Sequence, residues 1–196
     1  MPSKPVLSED DKKHIRQNLQ TLCEQLWVSQ GYKKTSIKEL CTKTKIAIGT
    51  FYSLFPTKED LFYETALLIQ TRLKKQFLQT VLQGSDKNSF ASALKELFRE
   101  FDSKPFLYDV NTADFRSFIT KLSEEEMEKI KFESIEFFKE ACQTAELKPK
   151  IDTTKAYGVL SALLGVIGTK QTLVTMCDYF EVFDFMADNL IKELFE

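Results

Sequence analysis

A chain of 196 residues is long enough to bury a sizeable apolar core, so its stability need not come from metal ions or disulfides. Six glycines and five prolines are too few for the many turns of an all-β fold, so we expect an all-α fold. The net charge of −2, taken over the whole chain, argues against binding to nucleic acid.

The charge is unevenly distributed along the sequence. The first 58 residues contain ten lysines and arginines against five aspartates and glutamates, a net charge of +5, so the remainder carries −7. A basic end on an acidic body suits a protein that brings only that end close to phosphates.

No residue pattern indicates catalysis or a metal site. The four cysteines are widely separated and form no Cys-x-x-Cys pair, so we expect reduced thiols packed in the core. His14, the single histidine, lies among charged residues and is expected at the surface. The longest apolar run, residues 159–168, is far short of the ~20 residues of a membrane span, and no secretory leader is evident. We therefore expect a cytoplasmic protein that is not an enzyme and has no cofactor.

Four helices are predicted in the N-terminal part. Ser8 and the three carboxylates after it can cap a first helix over about residues 9–30, which ends at Gly31. Two short helices follow over about residues 36–43 and 47–54, and Glu39 stands where it would complete a capping box with Ser36. A long fourth helix is predicted from 58 to about 83, with its cap at Thr57.

The rest of the chain is also predicted to be helical. The expected ranges are 88–102, two shorter pieces between 105 and 121, 123–145, 152–168 and 172–194. Ser123 and Glu126 have the spacing of a capping box at the start of the range 123–145.

The most informative segment, residues 35–61, contains two short helices joined by a tight turn. Its apolar side chains are spaced to lock these helices against the first helix, and they are Ile37, Leu40, Cys41, Ile46, Phe51 and Phe55. The opposite face keeps small or slender residues, namely Ala47, Ile48, Gly49, Thr50 and Tyr52. Such a face lets a helix approach the floor of a DNA major groove closely.

This segment resembles the N-terminal signature of the TetR family of bacterial regulators. The matching elements occur in order and without gaps: Thr35-Ser36, Ile46, Gly49-Thr50-Phe51-Tyr52, Phe55 and Lys58-Glu59-Asp60-Leu61. The resemblance covers residues 9–65 in sequence and, beyond them, only helix number and length. It implies a DNA-binding domain over residues 1–56, with the helix-turn-helix at about 36–55, and an effector-binding and dimerisation domain over 57–196.

The resemblance also implies roles for the matching residues. Phosphate contacts are implied for Thr35, Ser36, Tyr52 and Lys58, and base contacts for Ala47, Ile48, Gly49 and Thr50. Three positions depart from the family pattern. Lys45 replaces a common turn glycine, Ala47 a frequent capping Ser or Thr, and Leu54 a polar or aromatic residue.

Ile48 makes a specific prediction about the DNA sequence. An apolar side chain can touch the methyl group of thymine but cannot read guanine through hydrogen bonds. We therefore expect one operator position to prefer T.

The last two predicted helices suggest a dimer. Small residues form a stripe on one face of 152–168, and they are Gly158, Ser161, Ala162, Gly165 and Gly168. By the family resemblance, these two helices would pair with those of a second copy as a four-helix bundle. The expected dimer contacts are Gly158, Ala162, Gly165, Phe183 and Met186. Helical spacing fits an internal core helix of a monomer equally, so that alternative stays open.

Eight phenylalanines crowd the middle of the chain. They are Phe98, Phe101, Phe106, Phe115, Phe118, Phe132, Phe137 and Phe138, and core packing explains most of them. Some could line a cavity for a small apolar effector, since cavities in helical proteins lie between helices and are mainly apolar.

The family resemblance implies a ligand-responsive repressor that binds a palindromic double-stranded operator as a homodimer. The alternative is a helical adaptor of the same fold that binds a protein instead of DNA. The acidic body and the altered residues at 45, 47 and 54 leave that alternative open.

Overall fold

The computed structural model describes residues 7–109 and 112–196, and within them it contains helices and one isolated bridge between Pro149 and Phe195. The helices are α1 (Glu9–Lys34), α2 (Ile37–Thr44), α3 (Ile48–Leu54), α4 (Lys58–Val81), α5 (Lys87–Ser103), α6 (Pro105–Tyr108), α7 (Ala113–Ile119), α8 (Glu124–Thr144), α9 (Thr153–Leu164), α10 (Lys170–Leu173) and α11 (Tyr179–Leu194). The predicted all-α fold is confirmed. Lys4, counted in the basic N-terminal part, lies outside the described residues. Within the described ranges, no helix has both the length and the hydropathy to cross a membrane.

Capping residues set most of the helix starts. Capping boxes join Ser8 to Asp11, Thr57 to Asp60 and Ser123 to Glu126, so α1, α4 and α8 begin where the sequence predicts. At α2 the box is only half formed, because the Glu39 carboxylate accepts instead from Gln30 (2.9 Å) and pairs with Lys43.

Helix α1 is interrupted at Gly31, where φ is +84°, and then makes one further turn to Lys34. The backbone N–H groups of Tyr32 and Lys33 donate to the Asp114 carboxylate of α7 at 2.7 and 2.9 Å. A Cβ at position 31 would lie 2.6 Å from an Asp114 oxygen, so both the dihedral angle and the close approach require glycine. This junction ties the end of α1 to α7.

The C-terminal helices differ from the predicted ranges. The helix predicted over 152–168 ends at Leu164 and continues as a 3₁₀ turn over Gly165–Thr169. The last helix begins at Tyr179 instead of 172, because the Asp178 side chain accepts from the N–H groups of Phe180 and Glu181. The residues between form the short α10.

The buried side chains form two clusters. The N-terminal core centres on Trp27, whose ring lies 4.8 Å from Phe62 and 4.9 Å from Phe118. The C-terminal core joins α5, α8, α9 and α11 and includes Phe183. Helix α4 contributes to both clusters, because Ile69 lies in the first and Phe77 in the second. It is thus a continuous link between the two ends of the molecule.

The cysteine prediction holds for three of the four thiols. Cys23, Cys41 and Cys142 are buried, while Cys177 is exposed in the segment between α10 and α11. The expectation of core packing is therefore wrong for Cys177, since the segment in which it lies does not join the core.

Candidate nucleic-acid interface

Helices α2 and α3 form a compact pair that packs on the N-terminal core. Leu40 and Cys41 of α2 and Phe51 and Leu54 of α3 are buried. The turn is closed by the N–H of Ile46, which donates to the Cys41 carbonyl at 3.0 Å. These contacts orient α3, the predicted recognition helix, with its other face towards solvent.

The turn between α2 and α3 carries a strained residue. Lys45 has φ +58° and ψ +38°, the left-handed region in which a side chain costs roughly 1–2 kcal/mol. It occupies the position where the family commonly has glycine. The turn therefore keeps its left-handed geometry with lysine in place of glycine, and the cost is backbone strain at Lys45.

Replacing Lys45 by glycine should relieve this strain. We expect Lys45→Gly to stabilise the protein by about 0.5–1 kcal/mol, the strain relieved less the extra entropy that glycine has in the unfolded chain. Chemical denaturation with urea measures the difference, and Lys43→Gly, inside α2, is the control that should destabilise. A lower stability for Lys45→Gly would contradict the strain argument.

The exposed face of α3 has the composition that the sequence predicts. Ala47 and Gly49 are exposed, and Ile48 and Tyr52 are each 51% exposed. A Cβ placed on Gly49 would meet nothing within 4 Å, so this face is open. Thr50 is half-buried. The structure brings all five predicted base- or groove-facing residues together at one end of the molecule.

The predicted phosphate contacts divide into two groups. Ser36 is exposed at the start of α2, where its hydroxyl oxygen accepts from the Glu39 N–H, and Tyr52 is exposed on α3. Thr35 requires a correction, because its side chain is 1% exposed and its hydroxyl donates to the Gly31 carbonyl at 2.8 Å. In this arrangement it stabilises the end of α1, and it would have to leave the Gly31 carbonyl to reach a phosphate.

Lys58 is also engaged within the protein. Its ammonium donates to the Tyr32 carbonyl at 2.6 Å and lies 3.9 Å from the centre of the Tyr32 ring. Burial lowers the pKa of Lys58. The side chain would have to leave these partners to reach DNA, so its phosphate contact stays a prediction.

Arg16 makes a set of contacts at the end of α3 that the sequence did not predict. The Arg16 guanidinium of α1 donates to the Leu54 carbonyl at 2.9 Å and to the Glu64 carboxylate of α4, and it lies 4.3 Å over the Phe55 ring. Leu54 itself is buried, which explains an apolar residue there. Arg16 thus joins the last turn of the recognition helix to α1 and α4. No local sequence signal identifies it, because its partners lie 38 and 48 residues away.

Exposed lysines surround this end of the protein. They are Lys33, Lys34, Lys38, Lys43 and Lys45, at the end of α1, on α2 and in the turn. Side chains of this kind supply the salt-dependent attraction to phosphates on which DNA binding depends.

The predicted apolar cavity lies in the body of the protein. It has a volume of about 400 Å³ and lies between α4, α5, α8 and α9. Of the eight phenylalanines considered from the sequence, Phe101, Phe137 and Phe138 line it, together with Phe77 and Phe90. None of its lining residues is charged.

The predicted dimer contacts are only partly available to a second chain. Gly158, Ala162 and Gly165 are exposed, and a Cβ on either glycine would meet nothing within 4 Å. Met186 is half-buried. Phe183 requires a correction, because it is fully buried with its ring stacked 3.5 Å from that of Phe98.

A neighbour of Phe183 on the same helix is exposed instead. Phe185, two residues later on α11, is 70% exposed. Residues two positions apart on a helix point about 200° apart, so Phe183 and Phe185 lie on opposite faces, and the sequence does not decide which face its own core covers.

Comparison with known proteins agrees with this geometry. The sequence model described as "Bacterial regulatory proteins, tetR family" matches residues 23–65, which include α2 and α3. No curated protein matches the sequence.

Several solved structures have the same fold. The transcriptional regulator FadR from Bacillus subtilis, in complex with stearoyl-CoA, is 15% identical over 91% of this chain and 98% of its own, with a TM-score of 0.63. A TetR family transcription regulator from Marinobacter aquaeolei is 13% identical over 96% of this chain and 100% of its own, with a TM-score of 0.64. RolR, in complex with resorcinol, is 19% identical over 95% and 90% of the two chains, with a TM-score of 0.58.

Proposed function

By its N-terminal domain the chain belongs to the TetR family of bacterial regulatory proteins, and we propose that it is a ligand-responsive repressor that binds a palindromic operator as a homodimer. The observation that carries the proposal is the open, uncharged face of α3, where Gly49 has free space and Ile48 and Tyr52 project into solvent. Small side chains on the groove-facing side of a helix let its backbone approach the bases closely. In this proposal, residues 1–56 bind DNA, and residues 57–196 bind the effector and dimerise.

The exposed surface of α9 and α11 supports the homodimer. Gly158, Ala162 and Gly165 let a second helix approach closely, and Phe185 supplies an apolar side chain that would otherwise remain in water. Two copies related by a twofold axis would place two α3 helices about one helical turn of DNA apart, roughly 34–36 Å. The operator would then be an inverted repeat.

The apolar cavity supports a response to a small molecule. Its volume of about 400 Å³ lies within the range of known ligand sites, and its lining is aromatic and aliphatic. Two proteins with this fold, FadR and RolR, are known in complex with small molecules. An effector that binds better to the conformation unsuited to the operator would lower DNA affinity, with α4 as the link between cavity and interface.

Selection from a randomised duplex library tests the proposal. We expect enrichment of an inverted repeat that uses T opposite Ile48, with an affinity that falls steeply as salt is raised. Tyr52→Ala should weaken operator binding by about tenfold, the effect of losing one good hydrogen bond to a phosphate. The Tyr52 ring is half-exposed and packs edge-on against Phe51 at 5.5 Å between centroids, so thermal stability should fall only slightly.

Two results would count against the proposal. Equal use of all four bases opposite Ile48 would refute the thymine contact but would leave the proposed DNA binding intact. A library from which no sequence is enriched at any salt concentration would favour the adaptor alternative, and a search for protein partners would follow.

A further inference from the structure

A second, smaller cavity lies between the apolar cavity of about 400 Å³ and the N-terminal core. It has a volume of about 230 Å³ and is lined by side chains of α1, α4, α5, α6, α7 and α8. Trp27 of α1 forms part of its wall, as do Ala66 of α4 and Phe118 of α7. The smaller cavity therefore reaches the helix that supports the helix-turn-helix.

The two cavities share two lining residues. Phe101 and Tyr108 line both, and their rings stack with centroids 4.5 Å apart and planes 21° apart. Next to them, the Gln70 amide from the wall of the smaller cavity donates to the Ser134 hydroxyl in the wall of the larger one at 3.1 Å. A change of rotamer at Phe101 and Tyr108 would join the cavities without breaking a helix.

The size of the smaller cavity argues that it is one part of a larger site. Ligand sites usually have volumes above roughly 300 Å³, which the larger cavity exceeds and the smaller one does not reach. A ligand that occupies both would have an elongated shape, since it must pass between Phe101 and Tyr108.

The lining specifies the chemistry of the ligand. Neither wall contains an Asp, Glu, Lys, Arg or His, so a charged group inside would lose its hydration without gaining a partner. The polar groups are a few hydroxyls, the Gln70 amide and the Trp27 indole. The indole N–H is buried and has no hydrogen-bond partner within the described residues. The walls therefore fit a molecule that is mostly hydrocarbon and has few polar atoms.

We propose that the effector is an uncharged, elongated apolar molecule that fills both cavities by parting the Phe101–Tyr108 stack and reaches Trp27. This inference rests on the proposed function and specifies the ligand of its effector site. It also gives the ligand a direct route to the DNA-binding end. Trp27 packs against Phe118 of α7, and Asp114 of the same short helix holds the backbone of Tyr32 and Lys33 at the end of α1.

Trp27 is the only tryptophan of the chain and lines the smaller cavity but not the larger one, so contact quenching of its fluorescence reports a ligand in the smaller cavity. The probes are 1-dodecanol and the same alcohol carrying bromine on its terminal carbon, because bromine quenches indole fluorescence only near contact. We expect both alcohols to bind and raise the melting temperature. Only the brominated one should strongly quench Trp27. Dodecanoate, which adds a charge at equal length, should bind at least about tenfold more weakly.

Two filling variants test whether the cavities act as one site. Ala66→Leu narrows the smaller cavity and Ser161→Leu the larger one, and each should weaken dodecanol binding by at least about tenfold. Ala66→Leu should also remove the bromine quenching. Both fill empty space, and thermal denaturation confirms that each variant is folded before its affinity is compared.

The outcomes separate this inference from the proposed function. Binding of dodecanol that is lost in Ser161→Leu but kept in Ala66→Leu, without bromine quenching, would confine the ligand to the larger cavity and overturn the inference. Equal affinity for dodecanoate would overturn the requirement for an uncharged ligand. A protein that selects an operator but binds none of these probes would overturn the inference and leave DNA binding established.

Discussion

A Gly49→Leu variant is expected to lose operator binding while remaining fully folded. Position 49 lies in the first turn of α3, and a Cβ there would meet no atom within 4 Å, so a larger side chain starts in open space and should not disturb the fold. Leucine also favours a helix over glycine by up to about 0.8 kcal/mol. In the complex, however, it would hold α3 away from the bases. Specific complexes are typically about 10³–10⁷ times tighter than non-specific ones, so we expect at least about a hundredfold loss of operator affinity.

Fluorescence anisotropy with the selected duplex measures this loss, and thermal denaturation measures stability. Gly49→Ala is the matched control, because one methyl group should cost much less affinity than the leucine side chain. Non-specific binding at low salt should persist in both variants, since the lysines around the site are unchanged. Unaltered operator affinity in Gly49→Leu would show that α3 does not enter the groove.

The second large effect is expected from two phenylalanines on α11. Phe183 is fully buried against Phe98, so Phe183→Ala leaves a cavity in the C-terminal core and should cost about 3–5 kcal/mol of folding free energy. Phe185 is 70% exposed in the single chain, so Phe185→Ala should leave the folding of one protomer intact. If α11 forms the dimer interface, it should weaken dimerisation by about tenfold or more.

Urea denaturation and analytical ultracentrifugation separate these effects. Because dimerisation itself adds to stability, the unfolding curves are compared at several protein concentrations. We expect Phe183→Ala to be destabilised at every concentration and Phe185→Ala only where the wild type is dimeric. The reverse assignment, with Phe183→Ala stable and monomeric, would contradict the burial described here. An unchanged association constant in Phe185→Ala would move the interface elsewhere on the surface.

Many helix boundaries followed from the sequence because caps act over three or four residues. Ser8, Thr57 and Ser123 each form their box with a carboxylate three positions on, a relation that is visible in the sequence alone. The break at Gly31 was also expected from a single residue. The turn at Lys45 was recognised although its residue is unusual, since the surrounding apolar spacing locates it.

Individual contacts were less predictable where a side chain had two possible partners. Thr35 and Lys58 have the chemistry of phosphate ligands, but the folded chain uses them on the Gly31 and Tyr32 carbonyls. Arg16 carried no local signal although it holds the end of the recognition helix. The partners of Lys58 and Arg16 lie on other elements, at least 26 residues away, which no short pattern describes. The Thr35 partner is only four residues away, but the sequence does not decide between that carbonyl and a phosphate.

The sequence by itself determined the helical class, the helix-turn-helix and the open face of α3, because caps, periodicity and side-chain size are properties of residues within a few positions of one another. Only the tertiary structure decided that Phe183 faces its own core while Phe185 faces solvent, and that Phe101 and Tyr108 divide two cavities. Those outcomes depend on how helices far apart in sequence pack together. Periodicity specifies an apolar face but does not specify what covers it.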